Sequence, residues 1–169
     1  MLTGFQYRAS IAVLKINIKD LSKILKLNEA TLLRLKKTKN FDYLRCHRKN
    51  MLLITSYFQK HNITYPDKNS IQLNELNTLN KEFALTRFHL ISARIATGLN
   101  QNHLSKILRI SPGTISLLEK LNNTEKIGTR KIKNTSLINF FNHLGIIFNG
   151  NNTVTLKKDP QLFLDKTKM

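Results

Sequence analysis

The chain repeats itself at an offset of 83 residues, and this repeat constrains the fold more than any other sequence feature. Segment 21–25 reads Leu-Ser-Lys-Ile-Leu, and segment 104–108 reads the same. Further identities follow without a gap as far as Leu73 and Leu156. A register that holds over about 72 residues is hard to obtain by chance. We therefore infer an internal duplication, in which both copies share one layout of secondary structure.

The limits of the match divide the chain into four segments. The match begins at residue 2 in the first copy and at residue 85 in the second. Repeat one is residues 1–73, a connector follows at 74–84, repeat two is 85–156, and a polar tail ends the chain at 157–169. The tail has too little periodic apolar content to require structure.

Repeat two shows the first helices most clearly. Apolar residues at helical spacing predict a first helix near 87–97. Gly98 ends it, because glycine enters the left-handed conformation without strain. Asn100 is a typical N-cap and predicts a second short helix at 101–108.

Two further helices and a hairpin complete the repeat. Ser111 caps a third helix whose first residue is Pro112, where a missing N–H has no consequence. A basic loop at 126–133 precedes a longer helix from about 134 to 144. The pair Asn149 and Gly150 predicts a hairpin turn.

Each repeat ends in alternating apolar residues. These are Ile63, Tyr65, Ile71 and Leu73 in the first repeat and Ile146, Phe148, Val154 and Leu156 in the second. An isolated hairpin is marginally stable and leaves open edges. We therefore expect the two hairpins to pair, within the chain or with a second chain.

Strong positive charge restricts the partners of the chain. Lys and Arg total 28 against 10 Asp and Glu, for a formal net charge of +18. Residues 1–83 carry 15 basic and 6 acidic side chains, and residues 84–169 carry 13 and 4, so each half contributes +9. Such a field attracts nucleic acid or an anionic membrane surface. The membrane is the weaker alternative, because no apolar run approaches the roughly 20 residues that span a bilayer.

The sequence offers little for catalysis or for a cofactor. Cys46 is the one cysteine, which excludes a disulfide or a cysteine-based metal site within the chain and suits a reducing cytoplasm. The five His residues lack ligand spacing to a Cys or a carboxylate. The sequence has no Gly-rich phosphate loop, nucleophile elbow or paired-carboxylate motif. We expect no metal, no cofactor and no enzymatic activity, and the N-terminus lacks a signal-peptide pattern.

Two short helices joined by a three- to four-residue turn are typical of a helix-turn-helix, whose second helix reads base edges in the major groove. The predicted reading face of repeat two consists of Ser111, Pro112, Gly113, Thr114, Ser116, Leu117 and Lys120. The predicted phosphate contacts are Asn100 and Gln101 at a helix start, and Lys126, Arg130, Lys131 and Lys133 in the basic loop.

Residues 86–121 resemble the lambdoid phage repressor and Cro type of helix-turn-helix, the XRE-like family. Segment 93–101 is similar to the first helix of that family and to the Gln that begins its second helix. Segment 111–119 is similar to its recognition helix. The resemblance implies an ion pair between Arg94 and Glu119.

Repeat one departs from this pattern. At the positions of Arg94, Gln101 and Glu119 it has Ile11, Ile18 and Lys36. Losing both members of a buried pair avoids an uncompensated charge, so joint loss is what a real contact predicts. The predicted reading face of repeat one is Asn28, Glu29, Ala30, Leu33, Arg34 and Lys37.

The expected fold is mainly α: two tandem helix-turn-helix bundles in a pseudo-two-fold arrangement, each ending in a short β-hairpin. The expected function is a sequence-specific regulator of transcription that binds double-stranded DNA, a repressor of bacterial or phage origin in the cytoplasm. It would act as a single-chain pseudo-dimer or as a homodimer. Two alternatives stay open: an antitoxin-like or anti-activator module whose first repeat binds a protein partner, and nonspecific coating of nucleic acid by charge.

Overall fold

The structure is a computed structural model that describes residues 1–74, 83–128, 134–150 and 152–160. Within these residues the chain forms eight helices and four strands. Repeat one contains α1 (Gly4–Val13), α2 (Ile18–Leu25), α3 (Glu29–Lys36), α4 (Arg48–Lys60), β1 (Ile63–Thr64) and β2 (Ser70–Leu73). Repeat two contains α5 (Arg87–Thr97), α6 (Gln101–Leu108), α7 (Pro112–Lys120), α8 (Asn134–His143), β3 (Ile146–Asn149) and β4 (Thr153–Leu156).

The helix starts follow the predicted caps. The Asn100 side chain accepts a hydrogen bond from the His103 N–H (2.8 Å) at the start of α6. The Ser111 hydroxyl accepts one from the Thr114 N–H (3.2 Å) at the start of α7. Asn17 caps α2 in the same way. Local capping chemistry therefore fixes where these helices begin, in both repeats.

The helix ends also repeat at the sequence offset. Backbone in the left-handed region occurs at three pairs of equivalent positions: Lys15 and Gly98, Lys26 and Arg109, Asn62 and Gly145. A non-glycine residue in this conformation is uncommon. The chain therefore turns in the same way after α1 and α5, after α2 and α6, and after α4 and α8.

The strands of both repeats form one four-stranded antiparallel sheet in the order β1-β2-β4-β3. Ile71 pairs with Val154, its own equivalent at the repeat offset. On either side, Ser70 pairs with Thr155 and Gln72 pairs with Thr153. Exchanging the two repeats gives the same three pairs again, as a two-fold rotation axis through the sheet requires.

The sheet corrects the expected fold class. The helices follow the prediction, but the architecture is mixed α and β, because a single sheet joins the repeats into one body. The hairpins meet within the chain, which is one of the two predicted arrangements. Because β2 pairs with β4, the edges of the sheet formed by the described residues are β1 and β3, two edges in place of the four that separate hairpins would leave.

A core shared by the two repeats lies between the sheet and the helices. α1 packs against α5, and each of them also contacts the strand β2 or β4 of its own repeat. Phe5 and Phe88 occupy equivalent positions in the two repeats, and both are fully buried. Phe58 and Phe141 form a second equivalent pair and are fully buried too. The duplication therefore supplies equivalent aromatic anchors to both halves of one core.

Several local predictions need correction. The apolar residues of α6 predict that Ile107 packs in the core with Leu104 and Leu108, but Ile107 is 44% exposed, while Ser105 is buried. The spacing of apolar residues in α7 predicts a buried stripe of Ile115, Leu118 and Leu121, but Leu121 is the C-cap of α7 and is only half-buried. The first residues of the tail make defined contacts, since the Lys157 N–H donates to the Gly145 carbonyl (2.8 Å) and Pro160 is buried. Residues 75–82 of the connector and 161–169 of the tail lie outside the described residues.

Candidate nucleic-acid interface

The turn between α6 and α7 exposes one side of α7. Arg109 ends α6 in the left-handed conformation, and Ser111 then begins α7. Ile115 and Leu118 face the core and are buried. The residues of the predicted reading face divide into exposed positions, Ser111, Pro112, Gly113, Leu117 and Lys120, and half-buried positions, Thr114 and Ser116. Leu117 is 67% exposed.

A buried polar cluster fixes α7 against the two helices before it. Arg94 of α5 forms a bidentate ion pair with Glu119 of α7, with 2.7 Å between Nη2 and Oε2. Arg94 also donates to the Leu99 carbonyl through Nη1 (2.9 Å). Gln101 of α6 donates from Nε2 to the same Glu119 carboxylate (2.9 Å). The ion pair implied by the family resemblance is thus present, and Gln101 adds a hydrogen bond to its carboxylate.

This cluster determines the chemistry of both Glu119 and Gln101. The Glu119 side chain is 6% exposed, so its carboxylate depends on these donors for solvation. Gln101 was predicted as a phosphate contact, yet one hydrogen of its amide is committed to Glu119. The main role of Gln101 is therefore structural, because its side chain links α6 to α7. The first backbone N–H groups of a helix have no partner within it, and at the start of α6 the Asn100 side chain accepts the one from His103.

Repeat one holds the same three helices with different chemistry. Ile11 and Ile18, the counterparts of Arg94 and Gln101, are both buried, while Lys36 at the Glu119 position is exposed. Apolar packing replaces the polar cluster at this place. The predicted reading-face residues of α3 and its caps are all exposed: Asn28, Glu29, Ala30, Leu33, Arg34 and Lys37. Asn28 is also the N-cap of α3, accepting from the Ala30 N–H (2.8 Å).

Of the predicted phosphate contacts in the basic loop, the structure describes one. Lys126 is exposed, and its backbone forms an isolated bridge with Thr86. The equivalent bridge in repeat one joins Thr3 and Tyr43. Arg130, Lys131 and Lys133 lie outside the described residues.

Sequence reasoning missed the side chains that tie the two repeats together. Arg87 is 1% exposed and donates to the Glu119 carbonyl (2.6 Å) in its own repeat. Its Nη1 and Nη2 also donate to the Val13 (2.9 Å) and Ala12 (3.1 Å) carbonyls at the end of α1. Burial lowers the pKa of this guanidinium, and Glu119 opposes the shift.

The side chains of Lys15 and Asn40 also donate hydrogen bonds from one repeat to the other. Lys15 Nζ donates to the Lys120 (2.9 Å) and Leu121 (3.0 Å) carbonyls at the end of α7. On the other side, Asn40 Nδ2 donates to the Ala96 carbonyl at the end of α5 (3.0 Å). For Arg87, the sequence did contain one signal of its special role: the equivalent residue in repeat one is Gly4.

Gly4 shows why that difference is possible in only one repeat. A Cβ at Gly4 would overlap the Thr38 and Lys39 carbonyl oxygens, because the chain after α3 passes directly against it. In repeat two the same place holds the Arg87 side chain. Equivalent positions therefore serve close backbone packing in one repeat and hydrogen bonding between repeats in the other.

Comparison with known proteins assigns the chain to no family. No protein-family model, no curated protein and no solved structure matches it. Among the helices of the described residues, none has the length and apolar character needed to cross a bilayer. The described part of the chain also has no group of three His, Cys, Asp or Glu side chains placed to hold a metal ion.

Proposed function

We propose that the protein binds double-stranded DNA in a sequence-specific manner and represses transcription by occluding a promoter. In this proposal α6 and α7 form a helix-turn-helix unit of the lambdoid repressor and Cro type. α2 and α3 form a second unit that has diverged from it. The third helix of each repeat enters a major groove and reads base edges with its exposed side chains.

The single observation that carries the proposal is the exposed side of α7 together with the buried cluster behind it. α7 begins with Pro112 and Gly113, which have no long side chain, so its backbone can approach the bases closely at this end. Arg94, Gln101 and Glu119 hold the angle of the helix from the protected side. A reading element must be held rigidly if its side chains are to discriminate between bases.

The two exposed faces differ in the contacts they favour. On α3, Arg34 suits the acceptors of a guanine, and Glu29 suits the amino group of a cytosine. On α7, Ser116 and the Leu117 side chain favour smaller contacts, including the thymine methyl group. The proposed site therefore has two unlike half-sites about one turn of DNA apart, which is roughly 34 Å.

Selection of bound duplexes from a random pool tests this proposal. We expect enrichment of one sequence, which the protein then binds about a thousandfold or more tightly than random DNA. The preference should persist when salt is raised, although both affinities fall. Nonspecific coating by charge predicts that no sequence is enriched, and that result would overturn the proposal.

One feature of repeat one favours the alternative of a protein partner. Leu52 and Leu53 on α4 are 58% and 38% exposed, whereas Thr135 and Ser136 stand at these positions in repeat two. Arg48 and Lys49 line the same surface, so the partner that fits is an amphipathic helix with acidic residues. This alternative predicts a complex of fixed stoichiometry that Leu52→Thr with Leu53→Ser abolishes, while DNA binding is unchanged.

A further inference from the structure

A cationic cleft lies between the repeats, where the end of α3 meets the start of α6. Its volume is about 500 Å³. The residues that matter for its chemistry are Lys36, Lys37, Lys39, Gly98, Ile95 and Leu99. Arg8 and Arg94 also line it, but hydrogen bonds commit both guanidinium groups to neighbouring carbonyl or side-chain oxygens.

The three lysines give the cleft its charge. They are exposed at its rim, and in the described part of the chain no hydrogen bond or ion pair holds their ammonium groups. Two carboxylates lie nearby. Asp159 accepts a hydrogen bond from the Asn40 side chain (3.1 Å) and opposes the lowering of the Arg8 pKa by burial, and Asp42 lines a neighbouring pocket with Lys37 and Lys39. None of the described residues that line the cleft itself is acidic, so the three lysines leave it positive. A concave surface of one sign concentrates the opposite charge.

At the pseudo-symmetric position a side chain bridges the two walls. There Lys15 stands at the position of Gly98 and donates to the Lys120 and Leu121 carbonyls, which are equivalent to those of Lys37 and Thr38. Arg87 also joins the two repeats there, donating to the Glu119 and Val13 carbonyls. In the cleft itself Gly98 has no side chain that could make these hydrogen bonds, and the space between the two walls stays open.

We propose that this open cleft binds a small phosphorylated molecule, of the class of nucleoside polyphosphates. Lys36, Lys37 and Lys39 are placed to bind the phosphate groups through charge-assisted hydrogen bonds. Ile95 and Leu99 are half-buried on the opposite wall and provide an apolar surface for the nucleoside. The cleft volume lies within the usual range of small-molecule sites.

Titration calorimetry of the full chain with ATP, with inorganic pyrophosphate and with sulfate at matched ionic strength tests the proposal. We expect one saturable site per chain for ATP and for pyrophosphate, and weaker binding of sulfate. Lys37 also belongs to the proposed DNA-reading face, so the experiment contains no DNA, and its outcome is independent of the proposed function.

Gly98→Lys separates binding inside the cleft from simple attraction by charge. The substitution copies Lys15, which already adopts left-handed backbone with φ of 54° against 70° at Gly98. The new side chain should reach the Lys37 and Thr38 carbonyls and close the cleft. We expect the Kd for ATP to rise at least about tenfold, although the protein gains a positive charge. Tighter binding by this variant would overturn the proposal.

Two further variants give an answer even if Gly98→Lys does not fold. Lys36→Gln and Lys39→Gln should each raise the Kd for ATP about tenfold, the effect of losing one charge-assisted hydrogen bond. Lys60→Gln on α4 makes the same change of charge away from the cleft and should leave the Kd unchanged. The proposal is wrong if Lys60→Gln weakens ATP as much, if sulfate binds as tightly as ATP, or if the wild-type protein shows no saturable site.

Discussion

The two repeats form the same three helices in the same order, but they hold them together with different chemistry. Three equivalent positions carry Arg94, Gln101 and Glu119 in repeat two, and Ile11, Ile18 and Lys36 in repeat one. The first set is a buried ion pair with a bracing amide, and the second is apolar packing with an exposed lysine. Buried ion pairs and apolar groups of similar volume are often interchangeable in stability. The comparison shows that the helix arrangement requires a consistent set of residues and not a particular one.

Breaking the set in repeat two should have the largest effect. We expect Arg94→Ala to destabilise the protein by about 3–5 kcal/mol, because the Glu119 carboxylate would stay buried without its main partner. Denaturant unfolding of the variant measures the loss. Ile11→Ala in repeat one is the matched control and should cost about 2–5 kcal/mol through a cavity alone, without the buried charge.

Replacing all three residues of repeat two with those of repeat one tests whether they act as a unit. The triple change Arg94→Ile, Gln101→Ile and Glu119→Lys should destabilise by less than the sum of its single changes, since no buried charge is left alone. Strict additivity of the three free energies would contradict the account of this cluster.

Acid should weaken repeat two through His89, whose counterpart in repeat one is Gln6. Burial lowers the pKa of His89 to about 4, with its ring packed among Phe88, Phe148 and Phe83. The unfolded chain, with a His pKa of about 6.5, therefore binds more protons than the folded chain between those values. We expect stability to fall as the pH drops from about 6.5 towards 4, by up to about 3 kcal/mol.

The residue of repeat one provides the control for this pH dependence. Gln6 caps α1 by accepting from the Thr3 N–H (3.0 Å), as the His89 ring does from the Thr86 N–H (3.1 Å). His89→Gln should keep that bond and flatten the loss of stability between pH 6.5 and 4. An equally steep loss in this variant would assign the effect to other groups.

Gly4 and Arg87 sharpen the comparison at a smaller scale. Gly4→Ala should destabilise by about 1–3 kcal/mol, because the added Cβ forces the Thr38 and Lys39 carbonyls to move. Thermal unfolding measures this effect. Gly113→Ala on α7 is the matched control, since a Cβ there meets nothing closer than the Ser111 hydroxyl at 3.8 Å. Equal losses from the two changes would show that the close packing at Gly4 is unimportant.

On DNA, the repeats should respond differently to small changes. Arg34→Ala should reduce affinity by about 1–3 kcal/mol at one position of one half-site only, as expected for a guanine contact. Lys126→Ala should weaken all sequences alike and lower the salt dependence by about one unit. Anisotropy titrations of single-base variants at several salt concentrations distinguish the two patterns. Loss at every sequence from Arg34→Ala would show a phosphate contact in place of base reading.

Local signals predicted the helices well, because capping and apolar spacing act within a few residues. Asn100 and Ser111 fixed the starts of α6 and α7, and α6 spans the predicted 101–108. The contacts between repeats were beyond such reasoning. The roles of Arg87 and Lys15 depend on how α1 packs against α5, and no short pattern encodes that geometry.

The cleft was unpredictable for the same reason. Net charge predicts an anionic partner but not where the lysines converge, and the absence of a side chain at Gly98 becomes informative only beside Lys15. Pairing of the hairpins was predictable in kind, from their open edges and alternating apolar residues. Its register, centred on Ile71 and Val154, followed only from the structure.

The central claim is that each repeat reads its own half-site with its third helix, and a transplanted reading face tests it most directly. Asn28→Ser, Glu29→Pro, Ala30→Gly, Leu33→Ser and Arg34→Leu give α3 the face of α7, since Thr31 and Lys37 already match Thr114 and Lys120. Proline is tolerated at the first helical position, and Asn28 before it has the extended backbone that proline requires. Selection from a random pool should then change the preferred site from two unlike half-sites to a palindrome of the half-site read by repeat two. An unchanged asymmetric site, or a single half-site for both proteins, would contradict the claim that repeat one reads DNA.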